Sequence, residues 1–204
     1  LSRIPYTSLT EIVSNVSYPS LSIIQDDNAK LKHVYRKIIR TTIFIVFPLM
    51  LGLLSISNHL IPFILGEKWI PSTNYFMLLC IIGAIFPLYS INQNIFLVKN
   101  NSKLFFKVST IKRLITLLAL IIAIQYSVLA VVFSKVIATI INTLITMIYS
   151  GRQINYFFYE QIKDIIGIML CSVIMSVSIY FLGISIDVSN HIIMLIYQIC
   201  FGCI

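Results

Sequence analysis

Two ionisable side chains interrupt otherwise apolar stretches of this chain, Glu11 and Lys135. A charge within hydrocarbon is costly, so such residues are kept where they line a water-filled cavity, meet an opposite charge or handle a ligand. Each heads a polar stripe at helical spacing. Ser8, Glu11, Asn15 and Ser22 share one helix face, and Lys135, Thr139, Asn142 and Thr146 share another. If both helices run inward, each charge sits about 10 Å below the outer rim, which allows a mutual ion pair. Lys135, Glu11, Asn15, Thr139 and Asn142 are the expected substrate-binding set. The competing reading makes the hydroxyls and amides links between helices, at roughly 0.6 kcal/mol each.

No constellation for covalent chemistry accompanies them. The acids (Glu11, Asp26, Asp27, Glu67, Glu160, Asp164 and Asp187) are scattered, and the adjacent pair suits a helix start. His33, His59 and His191 lack metal-ligand spacing. Cys200 and Cys203 form a C-x-x-C, but inside an apolar stretch with no second pair and no neighbouring His. Cys80 and Cys171 are isolated. Two sequons, Asn15-Val16-Ser17 and Asn100-Asn101-Ser102, fall in a helix and on the cytoplasmic side. The expectation is a protein without catalytic site, metal or cofactor.

The elements that must position these residues are membrane helices. Hydrophobic residues make up 58% of the 204 and charged residues 11%, against about 25% charged in soluble domains. A chain this poor in charge cannot coat a water-facing surface. Crossing the hydrocarbon core takes about 20 apolar residues. Charge-free stretches at 41–65, 69–98, 114–134, 136–151, 165–186 and 188–204, with the less apolar 1–24, predict about seven spans. Their approximate bounds are 3–24, 41–65, 74–98, 108–125, 128–150, 163–183 and 190–204. The fold class expected is an all-α polytopic membrane bundle.

Basic residues orient the bundle. Lys30, Lys32, Arg36, Lys37 and Arg40 fill the first gap and Lys68 alone the second. Lys99, Lys103, Lys107, Lys112 and Arg113 fill the third, and Arg152 and Lys163 the fifth. This alternation places loops 25–40, 99–113 and 151–163 in the cytoplasm, with the first span running from outside to inside. The net charge of +8 therefore marks topology. It predicts contact with anionic membrane lipids and no nucleic-acid partner, because no basic surface carries stacking aromatics. Residues 28–40 read as an interfacial helix bending into the next span. The outer loops, near 66–74, 125–127 and 183–190, are too short to form a site alone. Pro48, Pro62 and Pro87 lie inside spans, as bends or as hinges. The chain starts without Met, lacks a secretory signal and stops within an apolar run, so it reads as part of a longer protein.

Several segments carry a resemblance. They are Val16-Ser17-Tyr18-Pro19-Ser20-Leu21-Ser22 with Gln25-Asp26-Asp27, Tyr35-Arg36-Lys37, Phe47-Pro48-Leu49-Met50, Leu65-Gly66-Glu67-Lys68-Trp69 with Pro71, and Phe86-Pro87-Leu88 with Asn92 and Asn94. In these the chain resembles the polysaccharide flippases, the Wzx-like lipopolysaccharide and capsule exporters of the multidrug/oligosaccharidyl-lipid/polysaccharide exporter superfamily. The match covers roughly residues 1–113 and is compositional beyond.

The resemblance implies a bacterial inner-membrane protein of two helical bundles around a central cavity, with this chain forming most of the second bundle. It implies alternating-access translocation of an undecaprenyl-pyrophosphate-linked oligosaccharide for O-antigen, capsule or other exopolysaccharide. The implied partners are that lipid-linked oligosaccharide, membrane lipids, the missing N-terminal bundle and polysaccharide polymerase machinery. A cationic cavity would suit the pyrophosphate, and Lys135 is the residue expected to supply the cation. The alternatives are an ion-coupled multidrug antiporter of the same fold, which needs cavity carboxylates where only Glu11 is on hand, and a non-transport membrane subunit.

Overall fold

The computed structural model of the chain describes residues 21–24 and 27–185. Within them lie five helices: α1 (Asn28–Leu65), α2 (Thr73–Val98), α3 (Ser102–Ile124), α4 (Val128–Gln153) and α5 (Phe158–Ser185), with a short 3-10 helix, Glu67–Ser72, before α2. The expected spans 190–204 and most of 3–24 lie outside the described residues.

Local chemistry sets the boundaries. The Asp27 carboxylate accepts from the Ala29 and Lys30 amides and starts α1. These backbone donors, Lys30 foremost, hold its carboxyl below the usual carboxylate range. Residues 28–40 do not lie apart as an interfacial helix. They continue without interruption into a 38-residue α1, about 57 Å long against a hydrocarbon core of about 30 Å. Asn101 caps α3 by accepting from the Leu104 amide, and Ser127 caps α4 by accepting from the Ala130 amide. Expected loop 99–113 thus shortens to 99–101. Between α4 and α5, Gly151 is required: a Cβ there would stand 2.3 Å from the Tyr156 carbonyl oxygen.

The helices pack in the lateral order α5, α1, α2, α4, α3. In α1, Leu31, Tyr35, Ile39, Ile43 and Phe47 recur every fourth residue, so one stripe is fully covered. That stripe meets Leu88, Ile91 and Ile95 of α2, Met147 of α4 and Ile165 of α5 in the main core. A smaller cluster, Ile56 with Ile179, closes α1 on α5 farther along. There the Ser55 and Ser176 hydroxyls lie 2.6 Å apart, with the Leu51 carbonyl in donating reach of both and the Ser176 carbonyl in reach of Ser55.

The outward faces remain apolar, with Phe44, Leu49, Leu118, Ile122, Ile174 and Phe181 all exposed. In water such a surface would drive aggregation, whereas lipid solvates it. Four of the described helical segments are long and apolar enough to cross a bilayer: Asn28–Leu65, Glu67–Val98, Val128–Gln153 and Phe158–Phe181. The chain is a multi-pass membrane protein.

Candidate anion-binding site

α3 is the helix whose first half carries Lys103, Lys107, Lys112 and Arg113. Lys103 and Lys107 are exposed. Lys112 is only 5% exposed, because its side chain turns inward between α2 and α4. Its ammonium donates to Thr146 Oγ1 at 3.2 Å and to the Tyr89 hydroxyl at 3.3 Å. It also lies 4.5 Å from the centroid of the Tyr89 ring, a cation–π contact that supplies part of the lost hydration.

The three helices bring these groups to a common level. Counted along each helix, Lys112 stands about 15 Å from Ser102, Tyr89 about 14 Å from Val98, and Asn142 about 16 Å from Gln153. Those ends are the ones flanked by the basic loops, so the level lies well inside the membrane. A pocket of about 460 Å³ opens here, walled by Tyr89, Gln93, Ser109, Lys112, Arg113 and Asn142 among others. None of its lining residues is a carboxylate. Two cations without a counter-charge among the described residues attract an anion, and the low-dielectric walls strengthen that attraction.

Neutral polar groups complete the walls. Asn142 donates from Nδ2 to Thr116 Oγ1 at 3.0 Å, and Thr116 in turn donates to the Lys112 carbonyl at 2.9 Å. Asn142 Oδ1 is buried with no hydrogen-bond partner among the described residues. Such an acceptor suits a hydroxyl donor from a ligand.

Of the expected binding residues that are described, Asn142 borders this pocket and Lys135 and Thr139 do not. Thr139 is half-buried, and its hydroxyl donates to the Lys135 carbonyl within α4 at 2.8 Å. Lys135 is exposed on α4, two turns beyond Asn142. Glu11 and Asn15, and with them the Glu11–Lys135 pair, lie outside the described residues. Lys112 and Arg113, assigned from the sequence to a cytoplasmic loop as topology markers, belong instead to the interior of α3. The sequence holds a signal for this. An Asn100-Asn101 helix start puts position 112 nearly three turns into the helix.

A second charged cluster ties α1 to α5 near the basic ends. Asp164, almost wholly buried, accepts from both Arg36 and Arg40. Its other partner is the Tyr156 hydroxyl, at 2.5 Å. One turn earlier, Lys32 pairs with Glu160 at 2.6 Å and donates to the Asn155 carbonyl at 2.7 Å. Burial, reinforced by the Asp164 carboxylate, raises the Tyr156 phenol above its ordinary value. Here both carboxylates are held by cations of α1, so this cluster fastens helices, whereas no carboxylate lines the Lys112 pocket.

A family described as "Polysaccharide biosynthesis protein" matches residues 1–74. The chain is similar to the lipopolysaccharide biosynthesis protein WzxC of Escherichia coli (strain K12), at 27% identity over 165 residues, 80% of this chain and 31% of that one. It is similar to the teichuronic acid biosynthesis protein TuaB of Bacillus subtilis (strain 168), at 28% identity over 143 residues, 70% and 30% of the respective chains. Among solved structures it superposes on the lipid II flippase MurJ in its inward closed conformation, with a TM-score of 0.75 and 26% identity. That match covers 98% of this chain and 42% of the other. The chain thus spans less than half the length of each.

Proposed function

We propose that the chain, similar to polysaccharide biosynthesis proteins and to a lipid II flippase, is a Wzx-like polysaccharide flippase of the multidrug/oligosaccharidyl-lipid/polysaccharide exporter superfamily and forms part of a transporter for a lipid-linked oligosaccharide. The substrate is an undecaprenyl-pyrophosphate-linked repeat unit, moved from the cytoplasmic to the periplasmic leaflet of a bacterial inner membrane by alternating access. The observation that carries this reading is the carboxylate-free pocket holding Lys112 and Arg113 at membrane depth.

The physical logic runs from hydration. A pyrophosphate with attached sugars cannot enter hydrocarbon unaided, since each unpaired charge and hydroxyl loses its water. Lys112 and Arg113 replace that water with charge-assisted donors. Gln93, Asn142 and Ser109 line the same pocket and offer partners to sugar hydroxyls. The polyprenyl tail stays in the bilayer throughout. No bond is made or broken in such a cycle.

The decisive experiment replaces Lys112 in the full-length protein with Met, which keeps the length and removes the charge. Lipid-linked repeat units should accumulate on the cytoplasmic side while surface polysaccharide falls, and Lys112→Arg should restore much of the export. Normal export by a well-expressed Lys112→Met protein would overturn the assignment.

A further inference from the structure

We propose that the groove between α1 and α5 is a binding site for an anionic membrane phospholipid, with one acyl chain in the groove and the phosphate between Lys163 and Arg40. The groove encloses about 420 Å³ and is walled by Phe44 and Pro48 of α1 and by Gly167, Ile168, Cys171 and Met175 of α5. Its position is separate from the Lys112 pocket, and the inference does not rest on the transport reading.

Three observations define the occupant. The first is charge. Lys163 and Asp164 stand at one end of the groove, and Arg40 lies one helical turn before Phe44. Asp164 is shared by Arg36 and Arg40, whose side chains remain 41% and 49% exposed, while Glu160 is taken by Lys32. Lys163 makes no ion pair among the described residues. This end is therefore net positive, with guanidinium donors still open to a phosphate.

The second is length. From Lys163 to Met175 the groove follows α5 for about 18 Å, close to half of the roughly 30 Å hydrocarbon core. It covers one leaflet, the extent of a phospholipid chain whose headgroup sits among the basic residues. A long polyprenyl chain would overrun it. The third is space. Nothing lies within 4 Å of where a Gly167 Cβ would be, so the groove is open at its middle where any other residue would narrow it.

A phosphatidylglycerol with a diazirine on one acyl chain tests the site in nanodiscs holding the full-length protein. Cross-links should map to residues 44–48 and 167–175. Gly167→Leu places its Cβ where nothing lies within 4 Å, projects its side chain into the groove and should cut the yield several-fold. Lys163→Glu, at an exposed position, should cut it about tenfold, as expected for a charge reversal at a lipid surface. An equivalent phosphatidylcholine probe should label weakly. Unchanged labelling in both variants would overturn the site. Equal labelling by phosphatidylcholine would overturn the anionic headgroup, and displacement by excess polyprenyl phosphate would assign the groove to a polyprenyl tail instead.

Discussion

The Lys112 ammonium lies 3.2 Å from Thr146 Oγ1 across the α3–α4 contact, with no carboxylate lining the pocket beside it. The hydroxyl orients the cation without neutralising it, so the charge stays available to a ligand. Thr146→Val keeps the size and removes the acceptor. Substrate binding should weaken about tenfold, the worth of one hydrogen bond to a charged group. The check is a titration of lipid-linked substrate against purified variant and parent protein, at matched thermal stability.

Asp164 holds Arg36, Arg40 and Tyr156 together. Asp164→Asn leaves two guanidinium groups facing a neutral amide, and the α1–α5 contact should loosen. Because both arginines are half-exposed, the cost is about 1–2 kcal/mol, below that of a fully buried pair. A Tm lower by roughly 2–8 °C follows, measured in detergent by tryptophan fluorescence at Trp69. Tyr156→Phe removes one hydrogen bond and leaves both ion pairs, so its loss should be smaller.

Gly151 sits under the turn that joins α4 to α5. A methyl group there meets the Tyr156 carbonyl oxygen at 2.3 Å and the Gln161 amide nitrogen at 2.7 Å. Gly151→Ala must displace backbone, at a cost of about 1–3 kcal/mol. Detergent-solubilised yield and Tm should both fall, whereas Gly167→Ala, in open space, should raise or preserve them.

Asp27 gives α1 a pH-dependent first turn. Its carboxyl is held below the usual value in the folded chain, so the contribution is present above the unfolded carboxylate range. It is lost as pH falls through the folded value. Amides of Ala29 and Lys30 should exchange faster in acid, after correction for intrinsic rates. Asp27→Ala should show the same fraying at neutral pH.

That the chain is built of membrane helices was legible in the sequence, since apolar run length acts locally, whereas the start of α3 behind the Asn101 cap was not and fell within the expected loop 99–113. The membrane class was legible for the same reason, because 11% charge constrains any fold the chain adopts. Lys112 was not. In sequence it is one of five basic residues in a row of gaps and helices, and its 5% exposure arises only when α2 and α4 close over it. The partners of Asp164 were equally hidden, because Arg36 lies 128 positions away. Local rules govern where a helix starts and which solvent it needs. Which cation is left without a counter-charge depends on the neighbours that packing supplies, and that was decided by the tertiary structure alone.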